Sequence, residues 1–337
     1  MSDLVSLLWL TQGRSPRLPS LRLRVLEIMP YLANRFEQTY CPAPTTLWRV
    51  WRLRRRLRTA DVVVLQKELV SIPVMKLLRW FSRRLVYDFD DAVHVRLLAA
   101  GDCRPSRKRA RRFGVICRAV DLVIAGNPIL EDAARQHGAR RTAVLPTAVA
   151  LADEASVENG VLRPVRLGWI GTDVNLPYIE AMELVFLRLQ EQGHAFVLLV
   201  MAARAPVFRR FTAVEFIPWT EDREAAFLAA IDIGLMPLAD NEHTRGKCAY
   251  KALQYMSLGK PVVVSDVGVN AEWTAGAGYA TTTFDETTEA LHKLIAHPAL
   301  RETLGAAGRA RVLHDFSRTV VANHLNELLI SLIENAE

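Results

Sequence analysis

The chain lacks any run of about 20 consecutive apolar residues, so no segment of it is long enough to cross a bilayer as a helix. Met1–Leu10 has no basic residues ahead of its apolar stretch, which speaks against a secretory leader. The four cysteines, Cys41, Cys103, Cys117 and Cys248, nowhere form a Cys-x-x-Cys pair. Neither a zinc site nor a disulfide framework is therefore expected, and reduced thiols suit a cytoplasmic protein. A Gly-x-Gly-x-x-Gly fingerprint with a downstream acid is also missing, which counts against a dehydrogenase. Asp88, Asp90 and Asp91 are the closest thing to a metal site, but two-residue spacing is a weak signal and no metal is expected.

What the chain does have is length, apolar content and arginine. At 337 residues, half of them hydrophobic, it has room for two domains with sizeable cores. The net charge of +7 is divided unevenly, with +15 in residues 1–150 and −8 in residues 151–337. The basic half carries arginine clusters at Arg49–Arg58, Arg79–Arg84 and Arg104–Arg112, and Trp48, Trp51, Trp80 and Phe81 interleave with the first two. Arginine beside tryptophan suits an anionic membrane surface. A solvated helix face is the plain alternative, and nucleic acid is the partner least expected.

The stretch Gly246–Trp273 is the most informative. Tyr250, Leu253, Tyr255 and Met256 give a helix with an apolar side, Gly259 ends it, and Pro261–Val264 reads as a buried parallel strand. The polar loop from Ser265 to Asn270 then stands at the strand's carboxyl end, where open α/β sheets bind ligands. Lys247 and Lys251 lie four residues apart at the helix start, a seat for phosphate. Elsewhere, strands are expected at Leu4–Leu10, Ala60–Gln66, Leu85–Asp91, Ala119–Gly126, Thr142–Pro146, Val165–Thr172, Phe196–Met201, Val214–Trp219 and Ile231–Leu238, with helices between them. One helix is expected over Arg22–Leu32 and one long helix from Asn175 through Gln192. The Gly171–Thr172 turn opens the second half as a phosphate loop would. Ala150–Pro164, polar and acidic, reads as an interdomain linker.

This pattern resembles the family-4 glycosyltransferases of the GT-B fold. The resemblance rests on Lys251, Gln254, Met256, Gly259, Pro261, Ser265, Gly268 and Glu272 in the C-terminal half. In the N-terminal half it rests on Gly13, Arg22 and Arg24 and on the Gln66–Lys67–Glu68 segment. It implies an α/β protein of two Rossmann-like domains facing across a cleft. Residues 1–155 would bind the acceptor, residues 156–316 the nucleotide-sugar donor, and residues 317–337 would form a helix crossing back. It implies a retaining transferase that moves a sugar from a nucleoside-diphosphate donor to a lipid-linked, polysaccharide or other glycan acceptor, with no cofactor. Cell-envelope polysaccharide synthesis at the inner membrane face would be its setting. Lys247, Lys251, Asp90, Asp91, Arg22 and Arg24 are the expected catalytic groups. Gly13, Gly171, Thr172, Pro218, Trp219, Gln254, Ser265, Gly268, Asn270 and Glu272 are the expected donor contacts, with Trp219 stacking on the base. Where the family often has two glutamates eight positions apart, this chain has Gly246 and Gln254, and Asp90–Asp91 with His94 just beyond stand near its His-Asp pair. A non-catalytic scaffold of the same fold, or a nucleotide-sugar epimerase, remains the alternative reading.

Overall fold

The computed structural model describes residues 4–13, 15, 18–98, 102–151 and 163–334. Most of the expected linker Ala150–Pro164 lies outside them. The strands run in chain order as β1 (Val5–Thr11), β2 (Phe36–Pro42), β3 (Val62–Gln66), β4 (Arg84–Phe89), β5 (Arg96–Leu97), β6 (Cys103–Arg104), β7 (Leu122–Ala125) and β8 (Thr142–Val144) in the first half. In the second half follow β9 (Val165–Ile170), β10 (Phe196–Ala202), β11 (Val214–Pro218), β12 (Ile233–Met236), β13 (Val262–Ser265) and β14 (Gly278–Thr281). β5 and β6 form a small antiparallel hairpin. The others build two six-stranded parallel sheets, ordered β2-β1-β3-β4-β7-β8 and β11-β10-β9-β12-β13-β14. Each order reverses once, between β1 and β3 and between β9 and β12. Those reversals are the crevices in which doubly wound sheets take ligands.

The interior strands are mainly apolar, as burial on both faces favours: all five residues of β3 are buried, Gln66 among them. The terminal helix Arg318–Glu334 belongs to the first sheet. Its Val321, Ala322, Leu325, Leu329 and Leu332 pack with Leu7, Trp9, Leu21 and Val25 in one core. Arg84 Nε donates to the Leu332 carbonyl at 3.1 Å, and Arg141 donates to Ser331 Oγ at 2.7 Å.

Three local expectations change. The helix expected over Arg22–Leu32 is a five-residue π turn, Arg22–Leu26, and then a short helix, Met29–Leu32, restarted at Pro30. The long helix expected from Asn175 is a 3₁₀ turn at Asp173–Asn175, a five-residue helix at Leu176–Glu180 and a separate helix at Glu183–Glu191. β4 ends at Phe89, so Asp90 and Asp91 lie beyond the sheet rather than in it. The edge strand β2, of which only Phe36 is fully buried, has no apolar alternation by which the sequence would reveal it.

Candidate functional site

The reversal between β9 and β12 opens into a cleft of about 550 Å³ between the two sheets. From the second half it is lined by Gly171, Thr172, Trp219, Lys247 and Lys251, and from the first half by Arg22 and Leu23. Gly171 is required by space: a Cβ there would stand 2.6 Å from the Trp169 ring. Its N–H is already committed to the Met201 carbonyl at 3.1 Å. Thr172 accepts at its carbonyl from the Asn175 N–H (2.9 Å) and at Oγ1 from Asn175 Nδ2 (3.0 Å). The five-residue helix that follows is too short to add much dipole. The loop therefore shapes the cleft wall, and the positive charge comes from elsewhere.

Part of it comes from Lys251 and Arg22, which with Gln254 and Trp219 surround Glu224. Lys251 Nζ donates to Gln254 Oε1 at 2.9 Å and to Glu224 Oε1 at 3.4 Å. Gln254 Nε2 and Trp219 Nε1 also donate to Glu224, at 2.7 and 3.2 Å. Arg22 reaches across from the first half to Glu224 at 3.7 Å and to Glu221 at 3.1 Å. Burial pushes the Glu224 carboxyl up, but Lys251, the Gln254 and Trp219 donors and Arg22 together hold it below the usual carboxylate range. Burial draws Lys251 below the usual lysine range, and Glu224 opposes that. Glu224 thus keeps Lys251 charged inside the cleft. In Glu224→Gln the apparent pKa of Lys251 falls further, and a one-unit fall is about tenfold in its ionisation. Nucleoside-diphosphate affinity should then drop more steeply in Glu224→Gln than in the parent protein as pH rises from 7 to 9. Titration calorimetry at several pH values reads this directly.

A second group of charges lies where β4, β7 and the loop before the helix Tyr250–Ser257 meet. Lys67, at a left-handed φ of 62°, pairs with Asp90 at 3.1 Å and with Asp91. Burial would raise Asp90, yet Lys67 and Arg24 hold it below its ordinary range. Lys247 donates to Asn175 Oδ1 at 3.2 Å, and burial pulls it below the usual lysine range against the pull of Asp91. Its loop is fixed from the other half of the molecule. Asn127, fully buried, caps the helix Pro128–Gln136 through Oδ1 while its Nδ2 donates to the Gly246 and Lys247 carbonyls at 3.0 and 3.1 Å. The backbone turns sharply after Lys247: Ala249 stands at φ 48°, the strained conformation that binding loops often hold.

Of the residues singled out in the sequence, Arg22, Gly171, Thr172, Trp219, Lys247 and Lys251 line the cleft. Gln254 lines an adjoining pocket with Arg22 and Glu224. Others are turned to different work. Arg24 is buried in the first half, held by Asp88. Gly13, at φ +83°, shapes the turn after β1, its carbonyl accepting from Thr11 Oγ1 at 3.0 Å. Pro218 ends β11. Ser265 Oγ accepts from the Leu238 N–H at 2.9 Å, and its carbonyl accepts from Asn270 Nδ2 at 3.0 Å. Gly268, at φ +65°, packs under the Arg245 carbonyl, and Glu272 is solvent-exposed. None of these seven lines the cleft. Glu224 and the second role of Asn127 have no signal in the sequence. An acid in a helix's first turn reads as a dipole partner, and an Asn before Pro reads as a cap.

Residues 178–297 match the family model for Glycosyl transferases group 1. No curated protein matches the chain. Among solved structures, Anabaena HepE in complex with UDP and glucose is 16% identical, with 97% of this chain and 100% of that chain covered and a TM-score of 0.66. Sucrose-phosphate synthase from Thermosynechococcus elongatus is 14% identical, with coverage of 98% and 100% and a TM-score of 0.70. The α,α-trehalose 6-phosphate synthase from Burkholderia multivorans is 14% identical, with both chains fully covered and a TM-score of 0.69. At these identities the likeness is one of fold, two Rossmann-like domains in the GT-B arrangement.

Proposed function

We propose that this chain, a GT-B glycosyltransferase whose residues 178–297 form a group 1 domain, moves a sugar from a nucleoside-diphosphate donor to a glycan or lipid-linked acceptor with retention. One observation carries the reading: Lys247, Lys251 and Arg22 converge with Trp219, 36% exposed, on a single cleft at the second sheet's reversal. Two ammonium groups and a guanidinium suit a diphosphate, and the indole offers a stacking face for the base. As the bond from the sugar's anomeric carbon to the diphosphate breaks, charge grows on the departing phosphate, where Lys247 and Lys251 stabilise it. The new bond forms to the acceptor oxygen, whose proton passes to the leaving phosphate. Asp90 and Asp91 are both tied to Lys67, which makes them poor bases and favours this retaining course. HepE holds UDP, so uracil is the first base to try.

The test is a thermal-shift screen of UDP, GDP, ADP, dTDP and CMP. A nucleotide at 100 times its dissociation constant stabilises the fold by about 2.7 kcal/mol. A shift with one base, abolished by Lys251→Ala, supports the donor site; no shift with any of them overturns it.

The acceptor's setting is read from the first half. Helices Leu47–Thr59 and Ile72–Phe81 present Trp48 (66% exposed), Trp51 (48%) and Trp80 (78%) beside Arg49, Arg52, Arg55, Arg56 and Arg83. Trp51 packs edge-on against Phe81 at 6.0 Å, and the Arg54 and Arg58 guanidinium groups cover the two rings at 4.6 and 4.9 Å. Among the described residues no helix is long and apolar enough to cross a membrane. This face suits the surface of an anionic bilayer on its cytoplasmic side, each basic group contributing about 1 kcal/mol there. Vesicles with anionic lipid should pull the protein down and neutral ones should not, and Trp48→Glu/Trp80→Glu should cut the binding by about tenfold or more, since burial of one large aromatic is worth over 1.4 kcal/mol. Equal recovery with both vesicle types would remove the membrane from the reading.

A further inference from the structure

The first sheet has a reversal of its own, between β1 and β3, and the transfer chemistry described above leaves the space beside it unused. At the carboxyl ends of these strands, Gln12 and Lys67 frame a second cavity of about 730 Å³, larger than the cleft. Arg96, Lys108, Arg109 and Arg112 line it, and Glu68 is the carboxylate that answers them. The other acid in the wall, Asp91, is already paired with Lys67. Four cations against one carboxylate leave a strongly positive hollow. Two of the four are held in place: Arg109 Nε donates to the Val93 carbonyl at 2.8 Å and Arg112 Nη1 to the Leu69 carbonyl at 3.3 Å. Each guanidinium spends one of its five donors in this way and keeps the rest. The 13-residue helix Arg107–Ala119 begins here, and its cap Ser106 lines the same wall, so the positive end of the helix adds to the field.

The far wall connects to the donor side. Asp91 and His243 line this cavity, and Asp91, Lys67 and Lys247 lie close enough to act on one another's charge. The Lys67–Asp91 pair in the wall of this cavity thus lies within electrostatic reach of Lys247 in the wall of the donor cleft. From this geometry we propose that the second cavity binds the phosphate or diphosphate group of a phosphorylated acceptor. Arg96, Lys108, Arg109 and Arg112 hold the anion, and the acceptor hydroxyl points past Asp91 toward the donor. The proposal rests on the transferase reading above and adds the chemical class of the second substrate. Phosphate on a lipid carrier and phosphate on a soluble sugar present the same group to these residues.

Inorganic pyrophosphate, titrated calorimetrically, is the probe. The proteins compared are the parent, Arg96→Ala/Lys108→Ala and Lys251→Ala. Arg96 and Lys108 are exposed, so the double substitution should fold normally. Two pyrophosphate sites are expected in the parent, the cavity and the donor cleft; affinity at the cavity should fall by about tenfold or more in the double variant, the loss of two charge-assisted contacts, and stay within about twofold in Lys251→Ala, which weakens only the cleft. The nucleotide-induced thermal shift of the double variant should match the parent's. Equal pyrophosphate binding in the double variant, a loss confined to Lys251→Ala, or no binding to the parent each overturns the proposal. A missing nucleotide shift in the parent would instead count against the donor cleft, because pyrophosphate at the cavity is read independently of it. Glucose 6-phosphate and decyl phosphate, run in the same three proteins, separate a soluble sugar phosphate from a lipid phosphate. Binding of either that falls in the double variant supports the site and names the source, and binding of neither overturns it.

Discussion

Replacing Lys251 with alanine is expected to slow sugar transfer by roughly 10²- to 10³-fold, the usual consequence of removing one group that meets charge as it develops in a transition state. The loss should fall mainly on kcat, because the phosphate gains charge as the donor bond breaks and the ammonium meets it most strongly then. Stability should change little. Without Lys251, Glu224 still accepts from Gln254 at 2.7 Å and from Trp219 at 3.2 Å and still faces Arg22, so the buried carboxylate is not orphaned. The lysine itself is nearly a third exposed, which limits what its ion pair contributes to folding. Steady-state kinetics and melting temperature, measured together on Lys251→Ala, separate the two effects. A melting point near the parent's with turnover reduced a hundredfold assigns Lys251 to the chemistry. Turnover within threefold of the parent's would remove it from the leaving-group role and leave Lys247 alone there.

How far the sequence foretold this arrangement depends on what kind of information each feature needs. Apolar runs such as VVVLQ and VVVS announce buried parallel strands directly, and two series of them announce two sheets. Gly171 and Trp219 stand just beyond the ends of β9 and β11, and Lys247 and Lys251 stand at the start of the helix Tyr250–Ser257, where local pattern alone places them. Side chains whose meaning lies in a partner far along the chain were not legible. Arg22 and Arg24 look alike two positions apart, but the π turn sends one to the cleft and the other into the core. Glu224 and Lys251 are 27 positions apart and come together only because two helices flank one strand. The Gly171–Thr172 loop shows the opposite error. Its position suggested a phosphate cradle, while the Gly171 N–H is already spent on Met201. Likewise Ser265 and Asn270 stand at a strand's carboxyl end and use their polar atoms on each other and on Leu238. A motif's location was readable, whereas the hydrogen-bond account of each donor was not.

The second large effect concerns Arg24, and it should appear in stability. Arg24→Ala is expected to cost about 3–5 kcal/mol, the range for breaking a buried ion pair from one side. Both partners are buried, at 5% and 3% exposure. Arg24 Nε donates to both Asp88 oxygens, at 3.0 and 2.8 Å, Nη2 donates at 2.7 Å, and Nη1 reaches Thr147 Oγ1 at 3.3 Å. Burial pushes the Asp88 carboxyl above its ordinary range, and Arg24 is the group that opposes this most. Once the guanidinium is gone, Asp88 must remain buried in its neutral form. A carboxyl whose folded pKa lies above its unfolded one binds more protons folded than unfolded, so stability falls as pH rises between the two values. The penalty of Arg24→Ala should therefore grow from pH 5 to pH 8. Replacing both partners, as Arg24→Met/Asp88→Leu, leaves no charge stranded and should recover most of the loss. Denaturant midpoints of the parent, the single and the double variant at the two pH values decide the matter. A penalty below about 1 kcal/mol, the level of an exposed pair, or one that shrinks toward pH 8, would mean that water reaches Asp88 and that the pair is not a closed element of the core. Nucleotide affinity measured at low temperature, where the variant stays folded, should remain near the parent's, since Arg24 does not line the cleft.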